Sequence, residues 1–215
     1  MNIIAATLDS TVLAAQSIIF NINGNIWIFT AFGISTSLSI LVGNAMGAGK
    51  INLAKKLSRE MLLIFLTFSV FVMFMFILFA RSILRIFTSD EAIVEQGLPA
   101  YYIMTLVIPL DTLNWIAIGI LKGLGRIRYL PFFEIVFDYF LMQPLCYYFC
   151  IVKHYDFEVY WIGLVGAVAS IMLCNYFYLY TLNWDKIAKE IKSRSEDACS
   201  SLKLDSELDE KLLIS

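Results

Sequence analysis

Residues 61–80 read MLLIFLTFSVFVMFMFILFA, a run of twenty positions without a single charge. A helix that crosses the hydrocarbon core of a bilayer, about 30 Å thick, needs about 20 mostly apolar residues. This stretch therefore predicts a transmembrane α-helix. The whole chain of 215 residues has the same character, since 60% of its residues are hydrophobic and 16% are charged, against about 45–50% and about 25% in an ordinary soluble domain.

Four further apolar stretches, each bounded by charges or turn residues, repeat this pattern. They run over about Thr11–Val42, Leu98–Leu121, Tyr129–Val152 and Tyr160–Leu182. The segment Met1–Leu8 has the character of the tail of a further span. We therefore predict an all-α fold, a polytopic membrane helix bundle of five spans plus the end of a sixth.

The first stretch is unusual because Asn21, Asn23 and Asn25 lie within it. Lipid offers the amide groups of these side chains no hydrogen-bond partner. We expect one long helix, locally distorted near Gly24, whose Asn-rich turn faces protein or water.

Positive charges flank the five stretches unevenly. Eleven of them follow the first, third and fifth stretches: Lys50, Lys55, Lys56, Arg59, Lys122, Arg126, Arg128, Lys186, Lys189, Lys192 and Arg194. Three lie on the other side: Arg81, Arg85 and Lys153. Because Lys and Arg near span ends remain cytoplasmic, we place both loops and the C-terminus inside. Residues 1–184 then form the membrane bundle, in a plasma, vesicle or vacuole membrane, and residues 185–215 form a polar cytoplasmic tail.

Several function classes are disfavoured by the sequence. A net charge of −2 provides no strong field for binding nucleic acid. No CxxC pair and no GxSxG, Walker A, HExxH or GxGxxG motif occurs. We therefore expect no enzyme activity, no catalytic residue, no metal site and no cofactor.

Three carboxylates lie inside the apolar stretches. Asp111 is in the middle of the third stretch, and Glu134 and Asp138 are four residues apart in the fourth. An Asp at the bilayer centre costs roughly 2.5–3.5 kcal/mol on insertion scales, so it normally faces the bundle interior and serves an ion, a proton or a ligand. The alternatives are a hydrogen-bonded structural acid at Asp111 and, for Glu134, a side chain that extends to water at the cytoplasmic edge.

Asn114 and Trp115 lie one turn beyond Asp111, on the same helix face. A carboxylate beside an indole suits an organic cation, because the opposite charge and the aromatic face both attract it. We therefore predict an ion- and substrate-binding site at these three residues. Asp138 is predicted as a second carboxylate across the cavity, Glu134 as a further acidic site residue and Asn21 as a polar wall. Packing within the membrane is the competing interpretation for Trp115 alone.

Small residues recur at the spacing that lets membrane helices approach closely. Gly119 and Gly123 form a GxxxG pair, and Gly166, Ser170 and Cys174 repeat every four residues. We interpret both sets as helix-packing devices.

A series of short motifs connects the chain to a known family. The stretch VGNAMGAG (42–49), followed by Ala54, looks like a hallmark of the multidrug and toxic compound extrusion (MATE) transporters. The other matches, in the family's order, are AAQS (14–17), IFTSD (86–90), ILKGLG (120–125), Tyr139, Pro144, WIG (161–163) and LNW (182–184). The family usually has Arg where this chain has Lys122. The resemblance covers about residues 3–190.

The resemblance implies a fold and a function. MATE transporters have two six-helix lobes around a central cavity and exchange protons or sodium ions for organic cations and other xenobiotics. This chain resembles the second lobe, from the end of the seventh helix to the twelfth, so we expect a truncated form that partners the first lobe or a homologous chain. The family's acid of the tenth helix corresponds to Asp111, a Glu of the eighth helix in animal-type transporters to Asn21, and a usual Tyr to Asp138.

Three other functions are compatible with the sequence. A lipid-linked-sugar flippase of related architecture is a second transport hypothesis. A membrane-embedded transferase could use Asp111, Glu134 and Asp138, although no paired acidic metal motif supports it. A non-transporting fragment that binds a full-length relative is the third.

Overall fold

The structure, a computed structural model, describes residues 10–26, 32–149, 153 and 158–193. The elements in chain order are α1 (Ser10–Ile26), α2 (Gly33–Gly47), α3 (Ile51–Leu78), α4 (Ala80–Phe87), α5 (Glu91–Gly123), α6 (Leu130–Glu134), π1 (Ile135–Met142), α7 (Gln143–Tyr147), α8 (Glu158–Thr181) and α9 (184–193). The all-α class is thus confirmed. The predicted end of a sixth span and residues 194–215 of the tail lie outside the described part.

Among the described residues, three helices are long and apolar enough to span a bilayer: Ile51–Leu78, Glu91–Gly123 and Val159–Thr181. The first of these, α3, contains the uncharged stretch 61–80 and has a mean hydropathy of 2.8 in its most apolar window. Large apolar side chains such as Phe68 and Phe71 are exposed on it. A helix that is apolar on all sides and exposed in the isolated bundle is suited to a lipid environment.

The first and fourth predicted spans take a different form from a single plain helix. The first is described as two helices, α1 and α2, and residues 27–31 between them lie outside the described part. The fourth is a continuous helical segment in which the short α6 and α7 flank π1. The number of five spans therefore stays a prediction.

The central element of the bundle is α5, which packs against α1, α2, α3 and α8. Its side chains Tyr101, Met104 and Leu121 are almost completely buried. The helix begins where the IFTSD motif ends, because the Asp90 carboxylate accepts the backbone N–H of Ala92 at 2.9 Å. Such a cap satisfies one of the free N–H groups of a first helical turn.

The GxxxG pair packs α5 directly onto α2. A Cβ atom added at Gly119 would lie 2.8 Å from the backbone oxygen of Ser35, and one at Gly123 would lie 2.9 Å from that of Ser39. Only glycine permits so close an approach, which confirms the packing interpretation of this pair. A Cβ atom added at Gly166, in the second small-residue stripe, would meet no described atom within 4 Å, so Gly166 makes no comparable contact in this part of the chain.

The helix α9 packs on the same side of the bundle as α2. Asn183 caps it by accepting the N–H groups of residues 185 and 186 at 3.1 Å. Its side chains Ile187 and Ala188 are buried in the cluster formed by α2 and α5. An ion pair of 2.6 Å joins Arg126 to Glu190. The first part of the predicted polar tail is therefore held against the bundle.

Candidate functional site

A cavity of about 310 Å³ opens between α1, α5, the α6–π1 segment and α8. The residues that line it are Asn23, Val107, Asp111, Asn114, Trp115, Glu134, Asp138, Leu164, Val168 and Ile171. Five of the six residues predicted as a site from the sequence are in this set. Apolar side chains of α8 form the opposite wall.

Asp111 lies near the middle of α5, two residues after Pro109. A proline inside a helix has no N–H to donate to the carbonyl four residues earlier, which loosens the helix locally. The hydroxyl of Thr112, the next residue, donates to the carbonyl of Ile108 at 2.8 Å. The carboxylate thus stands on a part of α5 where the regular hydrogen-bond ladder is interrupted.

The other two carboxylates come from the fourth predicted span. Glu134 is the last residue of α6, and Asp138 lies in the first turn of π1. Residues four apart point to the same side of a helix, so both face the cavity that Asp111 lines from α5. Glu134 is exposed and Asp138 is half-buried. Glu134 therefore lines the cavity from an exposed position at its edge.

Two hydrogen bonds join α5 to α8 next to Asp111. The Asn175 amide donates to the side-chain oxygen of Asn114 at 2.8 Å, and the Tyr176 hydroxyl donates to the carbonyl of Leu113 at 3.1 Å. Asn175 is 1% exposed and Asn114 is 6% exposed. Asn175 was not predicted as a site residue, although a lone amide within an apolar stretch was a visible signal.

Trp115 presents its indole ring to both the cavity and a lysine. The ring lines the cavity one turn beyond Asp111. The Lys122 ammonium, from the last turn of α5, lies 5.6 Å from the ring centroid. This distance is within the range of a cation–π interaction. Lys122 was not predicted as a site residue.

The structure places Asn21, the predicted polar wall, outside this cavity. Asn21 is exposed, and its amide donates to the carbonyl of Ser17 at 2.8 Å. Asn23 lines the cavity instead. Residues two apart are separated by about 200° around an α-helix, so only one of these two side chains can face the bundle interior. The amide of Asn25 donates to the carbonyl of Asn21 at 2.8 Å, so exposed amides of this helix are satisfied within it.

Two of the sequence motifs meet in a second polar contact away from this cavity. The indole N–H of Trp161, in the WIG motif, donates to the side-chain oxygen of Gln16, in the AAQS motif, at 2.9 Å. Both side chains are almost fully buried. A buried hydrogen bond of this kind joins α1 to α8, which gives both motifs a structural role.

The fold and the cavity together define a class of protein. Secondary transporters bind substrate and coupling ion near the middle of a helical membrane bundle, between irregular or interrupted helices. The carboxylate-lined cavity beside the proline of α5 and the π-helix fits that description. The family model MatE matches residues 1–148, and the chain belongs to this family.

Similar proteins agree with this assignment. The chain is 27% identical over 192 residues to multidrug and toxin extrusion protein 1 of Oryctolagus cuniculus, covering 88% of this chain and 33% of the relative. It is 26% identical over 195 residues to protein DETOXIFICATION 49 of Arabidopsis thaliana, covering 86% and 37%. An uncharacterized transporter of Schizosaccharomyces pombe matches at 24% over 190 residues, covering 88% and 36%. The chain spans about a third of the length of these relatives.

A solved structure has the same arrangement of helices. The crystal structure of the eukaryotic MATE transporter AtDTX14 matches with a TM-score of 0.77 and 18% sequence identity, over 85% of this chain and 40% of that chain. The C-lobe-like helical bundle predicted from the sequence is consistent with this partial coverage. The chain is thus a multi-pass membrane protein of a transporter family.

Proposed function

We propose that this chain is part of a secondary-active antiporter that exports organic cations or related xenobiotics in exchange for H⁺ or Na⁺. The observation that supports the proposal is the meeting of Asp111, Glu134 and Asp138 at one cavity of a membrane bundle. A proton, a sodium ion and an organic cation each neutralise a carboxylate, so they compete for the same charge. That competition couples the movement of one to the movement of another.

Each cavity residue has a role in this proposal. Asp111 is the exchange carboxylate because it lies deepest in the bundle, on the central helix. Asp138 supplies a second negative charge from π1, and Glu134 supplies a third from the exposed end of α6. Trp115 offers an aromatic surface to an organic cation. Asn114, held by α8, offers a hydrogen bond.

The whole transport cycle requires more protein than this lobe. Alternating access moves one half of such a transporter against the other around a central site, and the curated relatives are about three times as long as this chain. We propose that residues 1–184 act as one of two lobes and that the partner is a first lobe or a homologous chain.

The central experiment replaces Asp111 with Asn, which keeps the shape of the side chain but carries no charge. The protein is purified into lipid nanodiscs, and binding of the organic cation choline is measured by calorimetry. We expect Asp111→Asn to bind choline at least about tenfold more weakly, since a hydrogen bond or contact to a charged group contributes roughly 1.5–3 kcal/mol.

A matched control uses a carboxylate outside the cavity. Glu60 is exposed on α3 and pairs with Lys56 at 3.7 Å. Glu60→Gln should bind choline as the wild type does, and both variants should keep the wild-type melting temperature within a few degrees. Equal choline affinity in the wild type and in Asp111→Asn would show that Asp111 is structural and that the proposal is wrong.

The proposed orientation has a separate test. The charge asymmetry of the sequence supports a cytoplasmic location for the loops near Lys55 and Arg126 and for the tail 185–215. Single cysteines at these loops should react in intact cells with membrane-permeant reagents only. A cysteine near Asp156 should react with impermeant reagents, and the reverse labelling pattern would overturn the orientation.

A further inference from the structure

Lys122 is positioned to reach back into the region of the cavity. It lies in the last turn of α5, seven residues and two helical turns after Trp115. Side chains of a helix lean towards its N-terminus, so the Lys122 stem runs along α5 in the direction of Trp115. This geometry accounts for the distance of 5.6 Å between the ammonium and the ring centroid.

The same ammonium is also near the acidic wall. Lys122 interacts electrostatically with Glu134, which in turn interacts with Asp138. The charged groups around the described cavity are therefore the carboxylates of Asp111, Glu134 and Asp138 and the tethered cation of Lys122. The lysine thus contacts the aromatic ring and carries a positive charge on the acidic side of the proposed site, the two features that the site offers to an organic cation.

An incoming cation cannot share these contacts freely with Lys122. Two positive unit charges about 4–6 Å apart repel each other, and the repulsion is stronger where the surroundings are less polar than water. A substrate that uses the exposed part of the Trp115 ring must therefore push the ammonium away. Lys122 is attached to the last turn of α5, and its side chain is exposed, so it has room to move towards the cytoplasmic end.

We propose that Lys122 is a specificity-determining residue, an internal cation that competes with the substrate for Trp115 and Glu134. This inference rests on the proposed function of the cavity. The competition excludes cations that gain little from the site, because they cannot displace the ammonium. It favours larger, weakly hydrated organic cations, whose contact with the indole is stronger than that of an ammonium which prefers water.

The test compares choline with its uncharged isostere 3,3-dimethylbutan-1-ol, using the purified chain in nanodiscs. Lys122→Gln removes the competitor, so choline should bind about threefold or more tightly, whereas the affinity for the neutral alcohol should not change. Lys122→Arg keeps a cation that stacks on aromatic rings, so it should keep the lower choline affinity. Lys55→Gln removes an exposed lysine of α3 and should have no effect.

A double-mutant cycle separates competition at the ring from a general change in charge. In a Trp115→Ala background the ring is gone, so Lys122→Gln should raise choline affinity by a clearly smaller factor than in the wild type. The same factor in both backgrounds would show that Lys122 acts only through long-range electrostatics and would overturn the competition at Trp115.

The outcomes also distinguish this inference from the proposed function. If the wild type binds choline and Asp111→Asn does not, but Lys122→Gln binds it no more tightly than the wild type, the role of Lys122 is wrong and the antiporter site stands. If choline binding is the same in the wild type and in Asp111→Asn, the proposed site fails and the inference about Lys122 fails with it.

Discussion

The central helix α5 meets two of its neighbours in opposite ways. Against α2 it presents Gly119 and Gly123, and the two backbones approach so closely that an added Cβ atom would lie within 3 Å of a carbonyl oxygen. Against α8 it presents Asn114, whose contact with Asn175 is a hydrogen bond between side chains, with a cavity beside it. The contact with α2 leaves no room between the two backbones, whereas the contact with α8 leaves room for a ligand.

The α2 side of α5 fixes the position of the helix, whereas its α8 side faces the cavity that is open to a substrate. Asn114 and Gly123 are nine residues apart, which places them on roughly opposite sides of the helix. A small displacement of a close backbone contact raises its energy steeply, because protein interiors are densely packed. The glycine contact therefore holds α5 in place, so that Asp111, about 12 Å away along the helix from Gly119, has a defined position in the cavity.

The largest effect on stability is expected at the glycine contact. In Gly119→Ala the new methyl group would lie 2.8 Å from the Ser35 backbone oxygen, which cannot move without shifting α2. Overpacking of this kind costs about 1–3 kcal/mol. We expect a melting temperature in detergent several degrees below the wild type, measured by the fluorescence of the unfolding protein.

Gly166→Ala is the matched control for this substitution. No described atom lies within 4 Å of a Cβ atom added at Gly166, and Ala is favoured over Gly inside a helix by about 0.8–1.0 kcal/mol. Its melting temperature should equal or exceed that of the wild type. Similar losses in both variants would mean that Gly119 and Gly166 do not differ in packing.

A smaller effect is expected where α5 meets α8. Asn175→Ala removes the amide that donates to the Asn114 side-chain oxygen. Hydrogen bonds between membrane helices contribute about 0.6 kcal/mol on average and at most about 1.7, so the melting temperature should fall less than in Gly119→Ala. Asn114 also loses its orienting partner, so choline affinity should decrease by a few-fold.

Ser170→Ala supplies the comparison on the same helix. The Ser170 hydroxyl donates to the Gly166 carbonyl of its own helix at 2.8 Å, and it forms no part of the lining of the cavity. Ser170→Ala should therefore bind choline as the wild type does, and its melting temperature should stay close to that of the wild type. A loss of stability in Asn175→Ala as large as in Gly119→Ala would remove the distinction between the two contacts of α5.

The sequence was sufficient for the membrane class, for the helix-packing role of Gly119 and for the grouping of three carboxylates. Each of these rests on a strong local cost: apolar surface in water, a side chain in a close helix contact, or an unsolvated charge in lipid. Such costs are visible residue by residue. The fourth span shows the limit, because the residues of π1 resemble those of an ordinary apolar helix and give no signal of its altered geometry.

Other parts of the site depend on orientation, which composition does not reveal. Asn21 and Asn23 are chemically identical, and the rotation of α1 decides which one lines the cavity. Asn175 and Lys122 were missed because their partners lie on another helix or two turns away. Positions of this kind become predictable only when the neighbours of each helix are known.

The packing of α9 has a consequence for how this C-terminal part of the chain can vary in evolution. Ile187 and Ala188 are buried against α2 and α5, whereas Lys186 and Lys189 are exposed. Substitutions at Ile187 and Ala188 should therefore be confined to apolar residues of similar volume. Substitutions at Lys186 and Lys189 should be tolerated as long as the positive charge near the membrane surface is kept. A stretch that composition assigns to a polar tail is, at two of these four positions, under the same constraint as the interior of the protein.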